Sequence, residues 1–304
     1  MTRVLMPFPA DAALASTMNQ AMQARIAPVA WRHFPDGESL VTLDDALAGA
    51  DVALLASLRN ADATALPLRF AARTAREFGA RSVGLIAPYL GYMRQDTRFH
   101  RGEAVSTPLF AQFLEEAFDW LVTVDPHLHR VERLQSLYRI PTVHVSATPA
   151  VARWIAETVP DAVLIGPDSE SEQWVADIAA LSGMPYQVLA KERHGDYDVR
   201  VSLPDPAAVA GRTPVLIDDI VSSGHTILET LAHLRRLSLP SPLLVAIHPV
   251  FAGDAYARLQ DAGLARIVST DTISHPSNAI ALGADLAAAA STLMTASTDS
   301  PEDP

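Results

Sequence analysis

The chain has 304 residues, 49% of them hydrophobic and 19% charged, a composition typical of folded globular proteins rather than disordered ones. Its formal net charge of −12 disfavours a nucleic-acid partner, because such binding draws on clustered lysine and arginine. With no cysteine, the chain has no disulfide, no thiolate metal site and no cysteine nucleophile.

The N-terminal segment predicts a strand at 3–6 rather than a targeting signal. Pro7 and Pro9 interrupt the apolar run before it is long enough to form the core of a secretion signal. No apolar run elsewhere approaches the roughly 20 residues that a membrane-spanning helix needs. We therefore expect a cytoplasmic protein with no membrane partner, which the absence of cysteine also fits.

Beyond the first strand, short aliphatic runs alternate with longer amphipathic segments. Strands are predicted at 52–57, 82–87, 121–124, 142–145, 163–165, 215–217, 243–247 and 267–269, and helices at 63–78, 108–117, 150–158, 170–181 and 226–237. In the first of these helices an apolar face recurs at steps of three and four residues, and it should lie on a sheet: Leu66, Phe70, Ala71, Thr74 and Phe78. The alternation predicts an α/β fold with mainly parallel sheets.

Two of the predicted strands end in an acidic residue. Asp125 follows one and Asp218 the other, at the edge where open α/β sheets bind their ligands. This internal similarity predicts two similar, doubly wound domains. The expected divisions are an N-terminal domain at 1–146, a C-terminal domain at 147–290 and a C-terminal tail at 291–304.

The strongest local pattern follows the strand at 215–217. Two carboxylates and a turn rich in small hydroxyl residues lead directly into a helix: Asp218, Asp219, Ser222, Ser223, Gly224, His225 and Thr226. Exposed N–H groups at a helix start favour a phosphate, and the hydroxyls add donors. Carboxylates beside a phosphate suit ribose hydroxyls or hydrated Mg²⁺. The alternative is an ordinary Ser/Thr helix cap with acidic residues in the first turn.

The segment 214–226 resembles the ribose-phosphate-binding loop that phosphoribosyltransferases share with ribose-phosphate diphosphokinases, also called phosphoribosyl diphosphate (PRPP) synthetases. Ser222, Ser223 and His225 stand where that family usually has an aspartate, a threonine and a glycine. The resemblance implies that Asp218 and Asp219 engage ribose and that residues 222–226 hold the 5-phosphate.

Two segments near the N-terminus resemble the synthetase motifs that hold ATP. They comprise Asp36, Gly37 and Glu38 in one segment and Arg94, Gln95 and Asp96 in the other. By themselves, Asp36-Gly37 also fits a turn between two strands, and Arg94 also fits a solvated loop cation.

Two further segments resemble the family's metal-associated motifs. In Asp125-Pro126-His127 the resemblance assigns His127 to the Mg²⁺ that accompanies ATP, with His129 as a nearby alternative. Asp168, in a Gly-Pro-Asp segment, takes the place of the second metal-associated residue. The residues after it differ from the family's Gly-Gly pair and predict a helix cap between Ser169 and Glu172.

The segment Lys191-Glu192-Arg193 resembles the flexible catalytic loop of the synthetases. Two cations there would neutralise charge that develops during diphosphoryl transfer. An exposed cluster of charged residues is the alternative.

Together these motifs identify the chain as similar to the ribose-phosphate diphosphokinases from about residue 3 to about residue 281. The resemblance implies two phosphoribosyltransferase-type domains, Mg²⁺ as cofactor, ATP and ribose 5-phosphate as substrates, and a homo-oligomer, a dimer or hexamer. In such an assembly Asp36 and Glu38 would reach the ATP site of an adjacent protomer. Because the ribose-phosphate loop is altered, two alternatives stay open. They are a related transferase with another sugar-phosphate acceptor, and a non-catalytic subunit associated with a synthetase.

Overall fold

In a computed structural model of the chain, the described residues are 2–128, 133–189, 191–193, 199–201, 209–235 and 239–296; for 191–193, 199–201 and 296 the description covers the backbone alone. The chain divides into two units. The first comprises Met1–Val145, Thr272–Ser274 and Leu282–Pro304, and the second comprises Ser146–Asp271 and His275–Ala281. Each unit contains its own six-stranded sheet with helices, so the predicted α/β class is confirmed.

The first unit is built around a parallel sheet. Its strands are β1 (Arg3–Pro7), β2 (Arg25–Ile26), β5 (Asp51–Leu55), β6 (Ser82–Ala87), β7 (Leu121–Val124) and β8 (Thr142–Val145). They lie in the order β2-β1-β5-β6-β7-β8 with every neighbouring pair parallel. A separate antiparallel hairpin joins β3 (Ala30–His33) to β4 (Ser39–Thr42). The helices of this unit are α1 (Ala12–Met22), α2 (Ala61–Glu77), α3 (Ser106–Glu115) and α8 (Gly283–Ala296).

Helix α2 turns a different face to the sheet from the predicted one. Leu66 and Phe70 are 51% and 44% exposed, whereas Leu68, Ala71 and Ala75 are fully buried. The separation of a helix from its neighbour depends on the side chains between them, and small alanines allow a close approach. The prediction was therefore right for Ala71 and wrong for Leu66 and Phe70.

The second unit repeats the parallel architecture. Its strands are β9 (Ala162–Gly166), β10 (Tyr186–Val188), β13 (Thr213–Ile220), β14 (Leu243–His248), β15 (Arg266–Thr270) and β16 (Asn278–Ile280). They lie in the order β10-β9-β13-β14-β15-β16, again with parallel neighbours. An antiparallel pair is formed by β11 (Lys191–Arg193) and β12 (Val199–Val201). The helices are α4 (Thr148–Thr158), α5 (Glu172–Ser182), α6 (His225–Leu234) and α7 (Ala255–Asp261).

Every predicted strand and helix overlaps an observed one. Residues 236 and 237, at the end of the predicted helix 226–237, lie outside the described residues. The central strands β5 and β6 are buried throughout, as expected of parallel strands covered on both faces. Across the described residues, no helix has the length and apolar character needed to span a membrane.

The last helix departs from the predicted division of the chain. α8 belongs to the first unit, where it packs along α1 and buries Leu286 and Ala290. A Cβ added to Gly283 would lie 2.3 Å from Oγ1 of Thr17, which shows how closely the two helices approach. The predicted division instead has residues up to 290 in the second domain and a tail that begins at 291. A local pattern does not reveal that a terminal helix returns to the first unit.

Candidate active site

Three aspartates approach one another at the carboxyl edge of the second sheet. β9 and β13 are neighbours, with Leu216 opposite Ile165. Asp168 follows β9 by two residues, and Asp218 and Asp219 stand near the end of β13. Although solvent reaches part of Asp218, its pKa is raised well above the ordinary value, first by burial and then by the charges of Asp219 and Asp168. A cation at this edge would relieve the repulsion among the carboxylates.

Asp168 also fixes the turn that precedes α5. Its Oδ1 accepts hydrogen bonds from the N–H groups of Glu170 (3.1 Å) and Ser171 (3.3 Å), and the Ser171 hydroxyl donates to the carbonyl of Asp168 (2.6 Å). The predicted cap between Ser169 and Glu172 was therefore wrong by one residue. The carboxylate of Asp168 is a stronger acceptor for these N–H groups than the hydroxyl of Ser169, and it therefore forms the cap.

The loop 221–224 joins β13 to α6 and ends at a glycine. Gly224 is the N-cap residue with φ of +72°, and among the described residues no side chain caps this helix. The alternative of an ordinary Ser/Thr cap was therefore wrong. The first N–H groups of a helix have no intrahelical partners, and the helix dipole adds positive potential there. The start of α6 is thus suited to an anion.

A segment that the sequence analysis did not single out holds this loop in place. Donors reach three successive carbonyls: the N–H of Phe251 to Val221 (2.8 Å), the N–H of Ala252 to Ser222 (3.0 Å) and Nη2 of Arg258 to Ser223 (3.1 Å). Phe251 has φ of +36°, a backbone region that residues other than glycine rarely adopt. No local pattern pointed to these contacts, because they join segments about 30 residues apart.

The polar side chains of the loop and of the start of α6 are exposed or partly buried. Ser223 and His225 are exposed, and Nδ1 of His225 lies 3.0 Å from Oγ of Ser223. Ser222 and Thr226 are partly buried. These side chains are therefore accessible to a small ligand. In the sequence they closely follow Asp218 and Asp219.

In the first unit, residues 34–38 form the tip of the β3–β4 hairpin. The N–H of Phe34 donates to the carbonyl of Glu38 (2.7 Å), and the N–H of Glu38 donates to Oδ1 of Asp36 (3.2 Å). Gly37 has φ of +93°, which explains glycine at this position. The tip joins two strands, and all five residues are exposed.

The segment 94–96 precedes α3 and is anchored to it by Gln95. Oε1 of Gln95 accepts from the hydroxyl of Ser106 (2.7 Å), and its carbonyl accepts from the N–H of Thr107 (3.3 Å). Arg94 is exposed and Asp96 is partly buried. Arg94 is therefore the member of this segment that presents a donor group at the surface.

The remaining predicted residues lie in three places. Asp125 is fully buried at the end of β7, and His127 is partly exposed two residues later. His129 lies outside the described residues. Lys191 and Arg193 lie on β11, whose backbone pairs with β12; their side chains lie outside the description. Lys191 is the only lysine in the chain.

Within the described residues, no three His, Asp or Glu side chains are arranged to hold a metal ion. The two predicted metal-associated residues, His127 and Asp168, belong to different units. The repulsion felt by Asp218 nevertheless fits a hard divalent cation, which prefers oxygen ligands.

The parallel sheets, with an acidic strand end leading into a helix N-terminus, define the class of phosphoribosyltransferase-type proteins. A family model described as the phosphoribosyl transferase domain matches residues 145–285, and one described as the N-terminal domain of ribose phosphate pyrophosphokinase matches residues 4–117. The chain is 32% identical to the ribose-phosphate pyrophosphokinase of Methanopyrus kandleri, over 92% of this chain and 96% of that protein. The chain therefore belongs to the ribose-phosphate pyrophosphokinase family.

Two further comparisons agree. The ribose-phosphate pyrophosphokinase of Halobacterium salinarum is 33% identical over 86% of this chain and 90% of that protein. The crystal structure of phosphoribosylpyrophosphate synthetase from Mycobacterium smegmatis has the same fold, with a TM-score of 0.83 and 24% identity over 99% of this chain and 100% of that chain.

Proposed function

We propose that the chain transfers the diphosphoryl group of Mg·ATP to the anomeric hydroxyl of ribose 5-phosphate, giving PRPP and AMP. The hydroxyl oxygen forms a bond to the β-phosphorus, and the bond from that phosphorus to the oxygen bridging the α-phosphate breaks. The hydroxyl proton is released, and no covalent enzyme intermediate is needed. The observation that carries this proposal is the acidic end of β13, followed directly by the braced loop at the start of α6.

The sugar phosphate binds at this loop. Its 5-phosphate accepts hydrogen bonds from the first N–H groups of α6 and from the hydroxyls of Ser222, Ser223 and Thr226. Asp218 and Asp219 accept hydrogen bonds from the ribose hydroxyls. The carboxylates and the phosphate-binding groups therefore lie at opposite ends of one short segment. The hydroxyls and the phosphate of ribose 5-phosphate are likewise at opposite ends of the sugar.

Magnesium is held with the help of Asp168 and His127. Asp168 accepts both hydrogen bonds of its capping turn through Oδ1, and its charge helps to raise the pKa of Asp218, which places the carboxylate at the acidic edge. His127 acts through a bound water or through the nucleotide, because Mg²⁺ prefers oxygen ligands. When bound, the ion neutralises charge on the phosphates of ATP.

ATP is positioned by the hairpin tip 34–38 and the segment 94–96 of the first unit. The guanidinium of Arg94 offers a planar donor fork or stacks on the base, and Gln95 holds the segment against α3. Asp36, Gly37 and Glu38 are exposed at the hairpin tip, which suits contact with the nucleotide of an adjacent protomer in a homo-oligomer.

Lys191 and Arg193 stabilise the transition state. A cation placed where negative charge develops lowers the barrier more than it strengthens substrate binding. The composition supports a special role for Lys191, because the chain uses arginine at its other Lys/Arg positions. Lysine differs from arginine in being a compact point charge on a flexible stem.

Phosphorus NMR of the purified protein with Mg·ATP and ribose 5-phosphate tests this function. We expect AMP and PRPP to appear in equal amounts, and we expect Lys191→Ala to slow both by at least about 100-fold without unfolding the protein. Arg139→Ala, at an exposed position in the first unit, is the control for loss of a cation.

The other outcomes identify the alternatives. If ATP binds but neither product appears, the acceptor differs, and ribose 1-phosphate, ribose 1,5-bisphosphate and PRPP with free bases are tested next. Absence of ATP binding, together with stable association with an active synthetase, would favour a non-catalytic subunit.

A further inference from the structure

A buried carboxylate stands at the start of the loop that carries His127. Asp125 immediately follows β7, and its exposed fraction is 0%. Its backbone φ of +29° lies in the left-handed region, which is unfavourable for residues with a side chain. Burying a carboxylate is costly unless it is paired, so both the side chain and the backbone of Asp125 need support from neighbouring residues.

His144 of the adjacent strand provides much of this support. β7 and β8 are parallel, with Thr123 opposite His144. Nε2 of His144 lies 2.7 Å from Oδ1 of Asp125, and the N–H of Asp125 donates to the carbonyl of Val145 (3.1 Å). Two consecutive residues of β8 therefore hold Asp125, one through its side chain and one through its backbone.

The restraint reaches His127 through one intervening residue. Pro126 has a fixed φ and no N–H group, so the chain between Asp125 and His127 has little freedom to compensate for a displaced Asp125. The position of His127 thus depends on the strained conformation of Asp125.

We propose that His144 is a positioning residue for Mg·ATP: by pairing with Asp125 it holds the strained start of the loop, so that His127 stays in place to act on the metal–nucleotide complex. This inference rests on the proposed function of His127. Asp125 and His127 were singled out by the sequence, whereas His144 is 19 residues beyond Asp125 and belongs to no recognised motif.

The same sheet provides a matched control at the amino end of one of its strands. Asp51 is the first residue of β5, is buried, and pairs with Arg81, whose Nε is 3.1 Å from its Oδ1. The side chains of Arg81 and His144 are similarly exposed, at 31% and 38%. Removing Arg81 therefore breaks a comparable side-chain pair with a buried aspartate, far from the carboxyl edge where His127 lies.

The experiment measures the dissociation constant of Mg·ATP by isothermal titration calorimetry, without the second substrate, for the full-length protein and three variants. We expect His144→Leu to raise this constant about tenfold or more. His144→Gln keeps an N–H donor, so its constant should stay within about threefold of the original protein. Arg81→Leu should lower the unfolding temperature while its Mg·ATP dissociation constant stays within about threefold of the original value.

Unchanged Mg·ATP binding in His144→Leu, or equal weakening in Arg81→Leu, would overturn the proposal. If His144→Leu does not fold, His144→Asn replaces it, because its shorter amide does not extend to the position of Nε2 and should weaken binding equally. Failure of the proposed diphosphoryl transfer is recognised separately: the unaltered protein would then bind Mg·ATP without forming AMP and PRPP, while the binding comparison still decides the role of His144. If the unaltered protein does not bind Mg·ATP, the proposed function and the role of His144 are both overturned.

Discussion

Gly224 and Leu259 meet where α6 begins: a Cβ added to Gly224 would lie 3.1 Å from Cδ1 of Leu259. Leu259 is fully buried in α7, next to the Arg258 that holds the carbonyl of Ser223. The loop 221–224 therefore packs directly against α7, through Gly224 and through the carbonyl of Ser223. The position of the proposed phosphate site depends on this packing as well as on the loop residues.

Replacing Gly224 should affect both stability and binding of ribose 5-phosphate. Gly224→Ala adds a side chain at a φ of +72° and against Leu259, and we expect a loss of about 1–3 kcal/mol in unfolding free energy. The displaced loop should raise KM for ribose 5-phosphate about tenfold. The control is Gly211→Ala, which has nearly the same φ (+70°) and, among the described residues, no atom within 4 Å of the added Cβ. Equal KM values for the two variants would contradict the link between loop packing and binding.

A second glycine should be intolerant for steric reasons alone. A Cβ on Gly84, in the middle of β6, would lie 1.8 Å from Cε2 of the buried Trp120. We expect Gly84→Ala to lower the unfolding free energy by about 3 kcal/mol or more. Adding Trp120→Leu should recover part of that loss, because the smaller side chain leaves room. Urea unfolding of both single variants and the double variant measures this coupling, and strictly additive effects would argue against it.

Burial of Asp11 predicts a dependence of stability on pH. Burial raises its pKa from 3.8 to about 6, although the N–H of Ser57 donates to its Oδ2 (3.1 Å) and opposes the shift. Because the folded protein binds this proton more tightly than the unfolded chain, the stabilising effect of the protonated form is present below pH 4. It is lost as the pH rises through 6.

Asp11→Asn tests this dependence, since the amide stays neutral and its oxygen still accepts from Ser57. We expect the variant to be more stable than the unaltered protein by about 2–3 kcal/mol at pH 7, and the difference to vanish near pH 4. Urea unfolding at the two pH values measures it, with the low-pH pair serving as the control. A difference that does not change with pH would show that Asp11 ionises normally.

The single lysine offers a direct test of where Mg·ATP binds. An amine-selective reagent modifies only Lys191 and the N-terminal amino group, and Lys191→Arg shows the N-terminal contribution alone. With Mg·ATP at about ten times its dissociation constant, modification of Lys191 should slow about tenfold, because bound nucleotide blocks the amine. Peptide mass spectrometry measures the rate. Modification of Lys191 at the same rate with and without Mg·ATP would remove this residue from the nucleotide site.

Local patterns predicted most of the fold because each parallel strand is a short apolar run and each amphipathic helix has a regular period. Those patterns do not report which face of a helix is closest to the sheet, as the exposed Leu66 and Phe70 demonstrate. They also missed α1 and the return of α8 to it, because that pairing joins the two ends of the chain.

The α/β class, the family motifs and their order could be predicted, since these depend on residue types and spacing along a local segment. The side chains that support the motifs are brought to them only by folding. The pairing of Asp125 with His144 joins neighbouring strands, and the donors from Phe251 and Arg258 to the loop after β13 come from a later segment. Buried charges and strained backbones persist only where distant residues compensate for them, and those compensations exist only once the chain has folded.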